Sequence, residues 1–257
     1  MNSGETTSTR VLSIHSGRPR HFEDPDGRTW YSGIDKAPVT GPVMLRGTGL
    51  DGDEQADLRV HGGPDKAACV YPFARYPHWA GQLAVAELAP GAFGENLLVE
   101  GVTEDTACIG DVYSLGDAVV QLSQPRSPCW KLARRHRVKD LAVQVQNTGY
   151  TGWYLRVLQD GEIAAGQLLT LLERPFADWT VTRANQVRYG GTPAETSALA
   201  DVPALARSWR EKLAELAVKR AARLPESESA RLHGESAAST GPGYGNNQGP
   251  GIVERGS

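Results

Sequence analysis

Short apolar runs separated by turn residues occupy the chain from Val11 to about Leu172. Each run has the length and composition of a β-strand: RVLSI, GPVMLRG, AACVYP, NLLVEG, DVYSLG, AVVQLSQ and QLLTLLE. Gly-Asp pairs at 52–53, 110–111 and 116–117 mark tight turns. Many short strands with this spacing are typical of a β-barrel or sandwich, and PFARYPHWAGQLA and KDLAVQVQNT predict helical insertions. We therefore expect a mainly β fold with a few helices.

A small helical module is predicted after Pro175, where the alternating pattern stops. Thr192, Pro193 and Glu195 have the spacing of a helix N-terminus with a capping box. The apolar residues that follow recur at helical spacing: Leu205, Trp209, Leu213 and Leu216. Such a module covers an open barrel edge, docks a redox partner or packs against a second subunit, and we favour the first role.

Composition divides the chain into a barrel domain and three further segments. The polar residues 1–9 are expected to be disordered, the barrel to span residues 10–175 and the helical module to span residues 176–224. Residues 225–257 are rich in glycine, serine and proline and lack periodicity, which predicts a disordered tail.

Charge and cysteine content narrow the class of protein further. The chain has 257 residues, 40% of them hydrophobic, and a net charge of −3, a balance that does not favour nucleic-acid binding. Its N-terminus lacks the basic and apolar regions of a secretory signal, and no apolar run has the length of a membrane span. Three widely spaced cysteines argue against a disulfide framework and for a reducing compartment. We therefore expect a cytoplasmic protein.

The segment GTGLDG at 47–52 matches the G-x-G-x-x-G pattern of dinucleotide-binding loops but lacks the context that this pattern requires. The following DEQADLRV has room for barely two helical turns before HGGP, and the segment KAACVYP has no acidic residue to bind a ribose. We therefore interpret GTGLDG as a glycine-rich β-turn.

Two loops carry polar residues suited to binding a ligand. In VHGGPDKA, His61 precedes two glycines that allow close approach of the backbone, and Lys66 offers a positive charge for an anion. In FGENL, Glu95 and Asn96 supply acceptor and donor groups at the start of a strand, where barrel ligands are commonly bound. The alternative for each loop is a turn with solvated side chains.

Cys129, in LSQPRSPCWKL, differs from the other two cysteines in its surroundings. Pro125 and Pro128 restrict the loop in front of it. Nearby cations would lower the pKa of the thiol and could bind phosphate: Arg126, Lys131, Arg134 and Arg135. Cys69 in AACVY and Cys108 in TACIG have the apolar setting of inert buried cysteines.

Three kinds of chemistry come into question for Cys129. A structural zinc site would need further ligands at close spacing, such as C-x-x-C, and the sequence has none. A thiol hydrolase would need a nearby histidine, for which His61 and His136 are candidates. A metal carried by a cofactor would need only this single thiolate in a cationic pocket. From these residues alone, a thiol hydrolase and a ligand for a metal carried by a cofactor both remain open.

Several segments, in this order, resemble the MOSC domain family, named for the C-terminal domain of molybdenum cofactor sulfurase. The resemblance is strongest to the bacterial branch associated with resistance to 6-N-hydroxylaminopurine. The segments are GLDGDEQADLRVHGGPDKA, YPFARYPHWA, AFGENLLVEGVTEDTACIGDVYSLGDAVVQLSQPRSPCWKL and QNTGYTGWYLRVLQDGEIAAG. DWTVTRANQVRYG is similar to the start of the three-helix module of that branch, so that the resemblance covers about residues 10–222.

The resemblance implies a MOSC-type β-barrel that binds molybdenum cofactor, an anionic pterin-dithiolene with a phosphate; pyridoxal phosphate is not expected. It implies that Cys129 is both the molybdenum ligand and the catalytic residue, and that Asn96 contacts the cofactor. Other candidate cofactor-binding residues are Arg126, His61, Lys66, Glu95, Asn147 and Thr148.

The function implied by the resemblance is reduction of N-hydroxylated purines and related N–O compounds. Three scattered cysteines cannot hold an iron–sulfur cluster, and the sequence has no dinucleotide or flavin motif, so electrons are expected from a partner reductase. The alternative is a carrier of molybdenum cofactor or of persulfide sulfur that turns over no substrate. No membrane or nucleic-acid partner is expected, and a homodimer is compatible with the sequence.

Overall fold

The structure is a computed structural model that describes the backbone of residues 9–233 and the side chains of that range except those of 59–60 and 223–233. The predictions of disorder for residues 1–8 and 234–257 lie outside the described residues. Within the described range, residues up to Arg220 belong to one compact unit, and the segment from Ala221 belongs to a second.

Strands form the central sheets of the first unit, which confirms the mainly β prediction. In chain order they are β1 Arg10–Ser16, β2 Arg20–Glu23, β3 Thr29–Ser32, β4 Ala37–Pro38, β5 Val43–Arg46, β6 Gly49–Leu50, β7 Ala68–Pro72, β8 Leu97–Glu100, β9 Val112–Leu115, β10 Ala118–Pro125, β11 Trp153–Gln159, β12 Gly161–Ile163 and β13 Leu169–Glu173. Eight of them form a curled half-barrel sheet in the order β13-β9-β10-β11-β7-β8-β1-β4. Strands β7 and β8 run parallel, and the other described pairs are antiparallel.

Helices fill the connections and the C-terminal part of the described chain. They are α1 Leu58–His61, α2 Tyr76–Gln82, α3 Trp130–His136, α4 Leu141–Thr148, α5 Val181–Gly190, α6 Pro193–Ala200 and α7 Arg207–His233, with short 3-10 helices at Pro64–Lys66 and Phe73–Arg75. The two predicted helical insertions are confirmed by α2 and α4. Among the described helices, none combines the length and apolar character needed to cross a bilayer.

The capping box of α6 is confirmed in detail. The Thr192 hydroxyl accepts a hydrogen bond from the Glu195 backbone N–H at 3.2 Å, and the Glu195 carboxylate accepts one from the Thr192 N–H at 2.9 Å. Helix α7 differs from the prediction at both ends. It begins after Leu205, and it continues past Pro225, where a disordered tail was expected, to His233. The segment ESESARLH contains several good helix formers, which a composition-based prediction of disorder overlooks.

Both faces of the sheet are covered, because alternate residues of its strands enter different apolar clusters. Val70 and Leu97 belong to a cluster shared with α5 and α6, whereas Tyr71 and Leu98 belong to one shared with α2, α3 and α4. The barrel and the helices after residue 175 thus share one core, and Ala206 N–H donates to Ser123 O of β10 at 2.8 Å. This packing agrees with a covering role for α5 and α6.

The segment GTGLDG forms a β-hairpin turn, as interpreted from the sequence. Arg46 of β5 pairs with Gly49 of β6, so that Gly47 and Thr48 form the loop between the two strands. The segment therefore does not join a strand to a helix in the way that a dinucleotide-binding loop does.

Gly152 is the position where the sheet most clearly requires glycine. It leads into β11 with φ +66°, and a Cβ there would lie 2.3 Å from Val70 O. We expect Gly152→Ala to lower the free energy of unfolding by about 3 kcal/mol or more, measured by urea denaturation. The control Gly166→Ala has φ +87° with nothing within 4 Å, and should cost only about 1 kcal/mol. Equal losses in the two variants would contradict the steric explanation.

Candidate functional site

A cavity of about 80 Å³ gathers the polar residues of several separate segments. Five of the predicted site residues line it: His61, Lys66, Asn96, Arg126 and Cys129. Residues from distant parts of the chain complete its polar wall, among them Lys36, Asp53, Lys131 and Tyr154.

Arg126 and Cys129 reach the cavity because β10 ends directly before them. The Arg126 N–H donates to Gly152 O at 3.0 Å, which holds the loop against the start of β11. Cys129 then adopts an extended conformation as the N-cap of α3, where its carbonyl accepts from Leu132 N–H at 3.1 Å. Its side chain is half-buried at the cavity wall. The thiol is therefore held on rigid backbone and remains accessible from the cavity.

The guanidinium of Arg126 is a buried cation of this cavity. The residue is only 8% exposed, and its Nη1 has no hydrogen-bond partner among the residues that the structure describes. Burial opposes its positive charge, but attraction from Cys69, Tyr154 and Cys129 outweighs burial and raises the pKa of Arg126. A buried guanidinium N–H group without a partner is costly unless a ligand accepts from it. The donor is therefore placed to bind an anion.

The loop that carries His61 and Lys66 is held by Asp65. The Asp65 carbonyl accepts from the Ser123 hydroxyl at 2.6 Å, and its carboxylate lies 2.8 Å from Arg156 Nη2. These contacts join the loop to β10 and β11 and place both candidate residues at the cavity. Burial, followed by the charge of Lys212, lowers the pKa of Lys66.

His61 is a neutral imidazole near neutral pH. Burial, followed by the positive charges of Lys131, Arg126 and Lys66, lowers its pKa to about 4, and Asp57 only partly opposes this effect. A neutral imidazole offers one donor and one acceptor nitrogen and adds no charge to the cavity.

The lowered pKa of His61 predicts a pH dependence of stability. Between its ordinary pKa of 6.5 and about 4, the unfolded chain binds a proton at His61 that the folded chain does not. Stability therefore falls as the pH is lowered through this interval, by on the order of 1–2 kcal/mol because partial exposure reduces the effect. Urea unfolding of wild type and His61→Gln across this pH range measures it. Wild type should lose more stability than the variant, and parallel curves would contradict the assignment.

A buried ion pair between Lys36 and Asp53 was missed from the sequence. The two side chains are 6% and 0% exposed, and the Asp53 carboxylate also accepts from the Gly17 N–H at 2.9 Å. The pair joins the segment after β3 to the segment after β6, and no sequence motif connects these two. Its effect is to hold one more ammonium group rigidly at the cavity wall.

Cys69 and Tyr154 line the cavity from neighbouring strands, since the two residues pair across β7 and β11. Burial raises the pKa of Cys69, and burial together with Cys69 raises that of Tyr154. Cys69 is 5% exposed, in keeping with the buried setting expected for it, but it belongs to the cavity wall and not only to the core. Cys108 is buried elsewhere, with its thiol donating to Ala177 O at 3.4 Å.

Asn96 lines the cavity, but its amide group is used within the protein. Its Oδ1 accepts from the Cys69 N–H at 3.0 Å, and its Nδ2 donates to the His15 carbonyl at 3.1 Å. These bonds tie β7 to β1 on either side of Asn96. In this structure Asn96 therefore positions the strands that form the cavity, whereas the resemblance implied a direct cofactor contact.

Three other predicted cofactor-binding residues do not line the cavity. Glu95 is fully buried, and its carboxylate accepts from the Tyr76 hydroxyl and the Gly91 and Phe93 N–H groups. Asn147 and Thr148 are exposed at the end of α4, where the Thr148 hydroxyl donates to Gln144 O at 3.0 Å. Glu95 thus stabilises its own loop, and the QNTG segment ends a helix.

Three residues near Cys129 in sequence also do not line the cavity. Arg134 pairs with Asp24 at 3.3 Å, and Arg135 donates to Ile34 O at 2.6 Å. His136, one of the two histidines considered as a base, contacts Ala92 O at 2.8 Å through Nε2. Of the two candidate histidines, His61 is the one that shares the cavity with Cys129.

The fold and the cavity define a half-barrel protein whose accessible thiol lies beside a buried cation suited to an anionic ligand. The comparisons with known proteins agree. A model of the MOSC domain matches residues 57–170. YflK of Bacillus subtilis (strain 168) is 47% identical over 202 residues, which cover 78% of this chain and 90% of that protein. The chain belongs to the MOSC family, whose domains are associated with molybdenum cofactor binding.

Two further similarities concern a solved structure and a longer protein. The crystal structure of YiiM from Geobacillus stearothermophilus is similar with a TM-score of 0.68 and 37% identity, over 80% of this chain and 98% of that one. A protein of Gibberella moniliformis named Reductase is 39% identical over 185 residues, which are 69% of this chain but 32% of that protein. The first similarity confirms the MOSC-type fold.

Proposed function

We propose that this protein is a molybdenum-cofactor-dependent oxidoreductase that reduces N-hydroxylated purines and related N–O compounds. The observation that carries the proposal is the unpartnered, buried Nη1 of Arg126 in the same cavity as the Cys129 thiol. The two groups match the two parts of an anionic metal cofactor, since a guanidinium binds phosphate and a thiolate binds a soft metal.

The residues of the cavity fit such a cofactor. Cys129 would supply the thiolate ligand, and Arg126 and Lys131 would bind its anionic groups. No group of three or more His, Cys, Asp or Glu side chains among the described residues is arranged to hold a metal ion. Molybdenum cofactor brings its own dithiolene, so it needs only a single protein ligand. The cavity supplies one in Cys129.

The reaction adds two electrons and two protons to R–NHOH, which yields R–NH2 and water as the N–O bond breaks. When bound, the cofactor would supply a metal that changes oxidation state and takes up the oxygen. The protein's part is to bind and orient the substrate and to limit access of water. His61, which is neutral, can hydrogen-bond to the substrate without adding a positive charge to the cavity.

The electrons would come from a partner reductase in the cytoplasm. The similarity to a protein named Reductase supports reductive chemistry, and about two thirds of that protein lies outside the matched segment, where an electron-donating part could reside. Resistance to 6-N-hydroxylaminopurine, with which the resembled branch is associated, is the outcome expected from such a reduction.

Analysis of the purified protein for molybdenum and pterin, followed by reduction assays, tests the proposal. We expect about one molybdenum per chain and conversion of 6-N-hydroxylaminopurine to adenine when a chemical reductant is supplied. Bound cofactor without any conversion would contradict an enzyme and leave a cofactor carrier. Protein without molybdenum or pterin would contradict both and leave a persulfide carrier or a thiol hydrolase, which thiol alkylation of metal-free protein would then separate.

A further inference from the structure

A second groove opens beside the cavity, and α3 forms one of its walls. Its volume is about 630 Å³, and its lining includes Trp130, Arg134, Arg137 and Lys139 together with the turn between β2 and β3. Cys129 and Lys131 line the cavity, whereas Trp130, between them in sequence, lines the groove. The two sites therefore meet at the start of α3.

Trp130 offers an exposed aromatic ring that is held in place. The side chain is 52% exposed, and its ring meets Trp30 edge-on with centroids 5.8 Å apart. The Arg134 guanidinium lies 4.7 Å from the ring centroid and also pairs with Asp24 at 3.3 Å. A large aromatic ring fixed in this way at the surface is suited to stack on a planar ligand, and base–aromatic stacking tolerates any base.

Positive charge increases along α3 with distance from the cavity. Trp130 and Arg134 have the i, i+4 spacing of one face of α3, and Arg137 is the C-cap that follows the helix. The carboxylates that line the groove are each paired, Asp24 with Arg134 and Asp26 with Arg28. Arg137 and Lys139 are exposed and have no acidic partner among the side chains that the structure describes. The far end of the groove therefore carries two unpaired positive charges.

We infer that the groove binds a purine nucleotide, with the base on Trp130 and the phosphate at Arg137 and Lys139. In this orientation the base lies at the start of α3, beside Cys129 in sequence, and the phosphate lies beyond the other end of this seven-residue helix, about 10 Å away at a rise of about 1.5 Å per residue. That separation suits a nucleoside monophosphate, whereas a free base would leave the two cations unused. The choice of a purine and the assignment of the N-hydroxylated group to the cavity rest on the proposed function, whereas nucleotide binding through stacking and phosphate contacts does not.

Binding of adenosine 5′-monophosphate, the amino product of such a reduction, tests the inference without turnover. Calorimetric titration of the purified protein should show adenosine 5′-monophosphate binding about tenfold more tightly than adenosine. The difference should shrink at high salt, because the cations are exposed. Equal affinities for the two ligands would overturn the phosphate assignment.

Variants separate the two halves of the groove. Trp130→Leu keeps an apolar side chain without an aromatic face and should weaken binding of both ligands about tenfold, whereas Trp130→Phe should retain most of the affinity. The double variant Arg137→Asn and Lys139→Gln should remove only the phosphate contribution; asparagine tolerates the left-handed conformation that Arg137 adopts at φ +57°. Arg183→Gln with Lys219→Gln removes the same charge outside the groove lining and should change neither affinity.

Nucleotide binding in the groove and reduction of N–O compounds are tested by separate measurements. Nucleotide binding that depends on Trp130, Arg137 and Lys139 supports the inference even where the protein reduces nothing. Binding that is unchanged in Trp130→Leu and in the double variant overturns it, even where 6-N-hydroxylaminopurine is reduced. With the reaction established, the N-hydroxylated nucleotide should show a lower KM than the free base, and the double variant should abolish that difference.

Discussion

Replacing Cys129 with serine is expected to lower the rate of N–O reduction by at least about a thousandfold. A hydroxyl is neither as acidic nor as soft as a thiol, so serine cannot replace the thiolate as a ligand. Folding should survive, because Cys129 is the half-buried N-cap of α3 and serine is favoured at that position. Molybdenum per chain and turnover, both measured on purified protein, should fall together.

Cys69 provides the matched control for this prediction, since it lines the same cavity. Its raised pKa keeps it a thiol, which is a poor metal ligand, so Cys69→Ala should retain wild-type molybdenum and turnover within about tenfold. Equal molybdenum content in wild type and Cys129→Ser would contradict the assignment of Cys129 as the ligand. A loss of molybdenum confined to Cys69→Ala would contradict it as well.

The strands were predictable where apolar alternation is long enough to recognise. The predicted runs around β1, β5, β7, β8, β9, β10 and β13 are all strands in the structure. The hairpin of β2 and β3 was missed, although Pro25, Asp26 and Gly27 form a turn signal, because its four-residue strands contain few apolar positions. Strand β11 alternates from Trp153 onward and could have been recognised by its period.

The candidate site was predictable where function-bearing residues lie in one recognisable segment. The setting of Cys129 and Arg126 and the HGGPDK loop pointed to residues that the structure brings to one cavity. Tyr154 and the Lys36–Asp53 pair were not predictable, because only strand register and chain folding bring them there. Glu95 was assigned to the wrong surroundings, since the direction of its carboxylate depends on the turn at 91–94 and not on its residue type.

Replacing Arg126 with methionine is expected to reduce cofactor retention by about a hundredfold or more without destabilising the apo-protein. The guanidinium is buried with an unpartnered Nη1, and exchange of such a charge for an apolar group of similar length is neutral or stabilising. Pterin released from purified protein measures retention, and urea unfolding of the apo-protein measures stability. Arg126→Lys keeps the charge but loses the planar fork, so its retention should be intermediate.

Arg75→Met is the matched control, because Arg75 forms an ion pair within the protein. Its guanidinium lies 2.8 Å from the carboxylate of Glu104, whose side chain is 0% exposed, so Arg75→Met leaves a buried acid without its partner. That variant should lose about 3–5 kcal/mol of stability and retain cofactor once folded. The two variants should differ in this way because the partner of Arg75 is Glu104, within the protein, whereas the partner of Arg126 is an anionic ligand. A similar loss of stability in both variants would mean that Arg126 is structural, and the cavity would lose its anion-binding assignment.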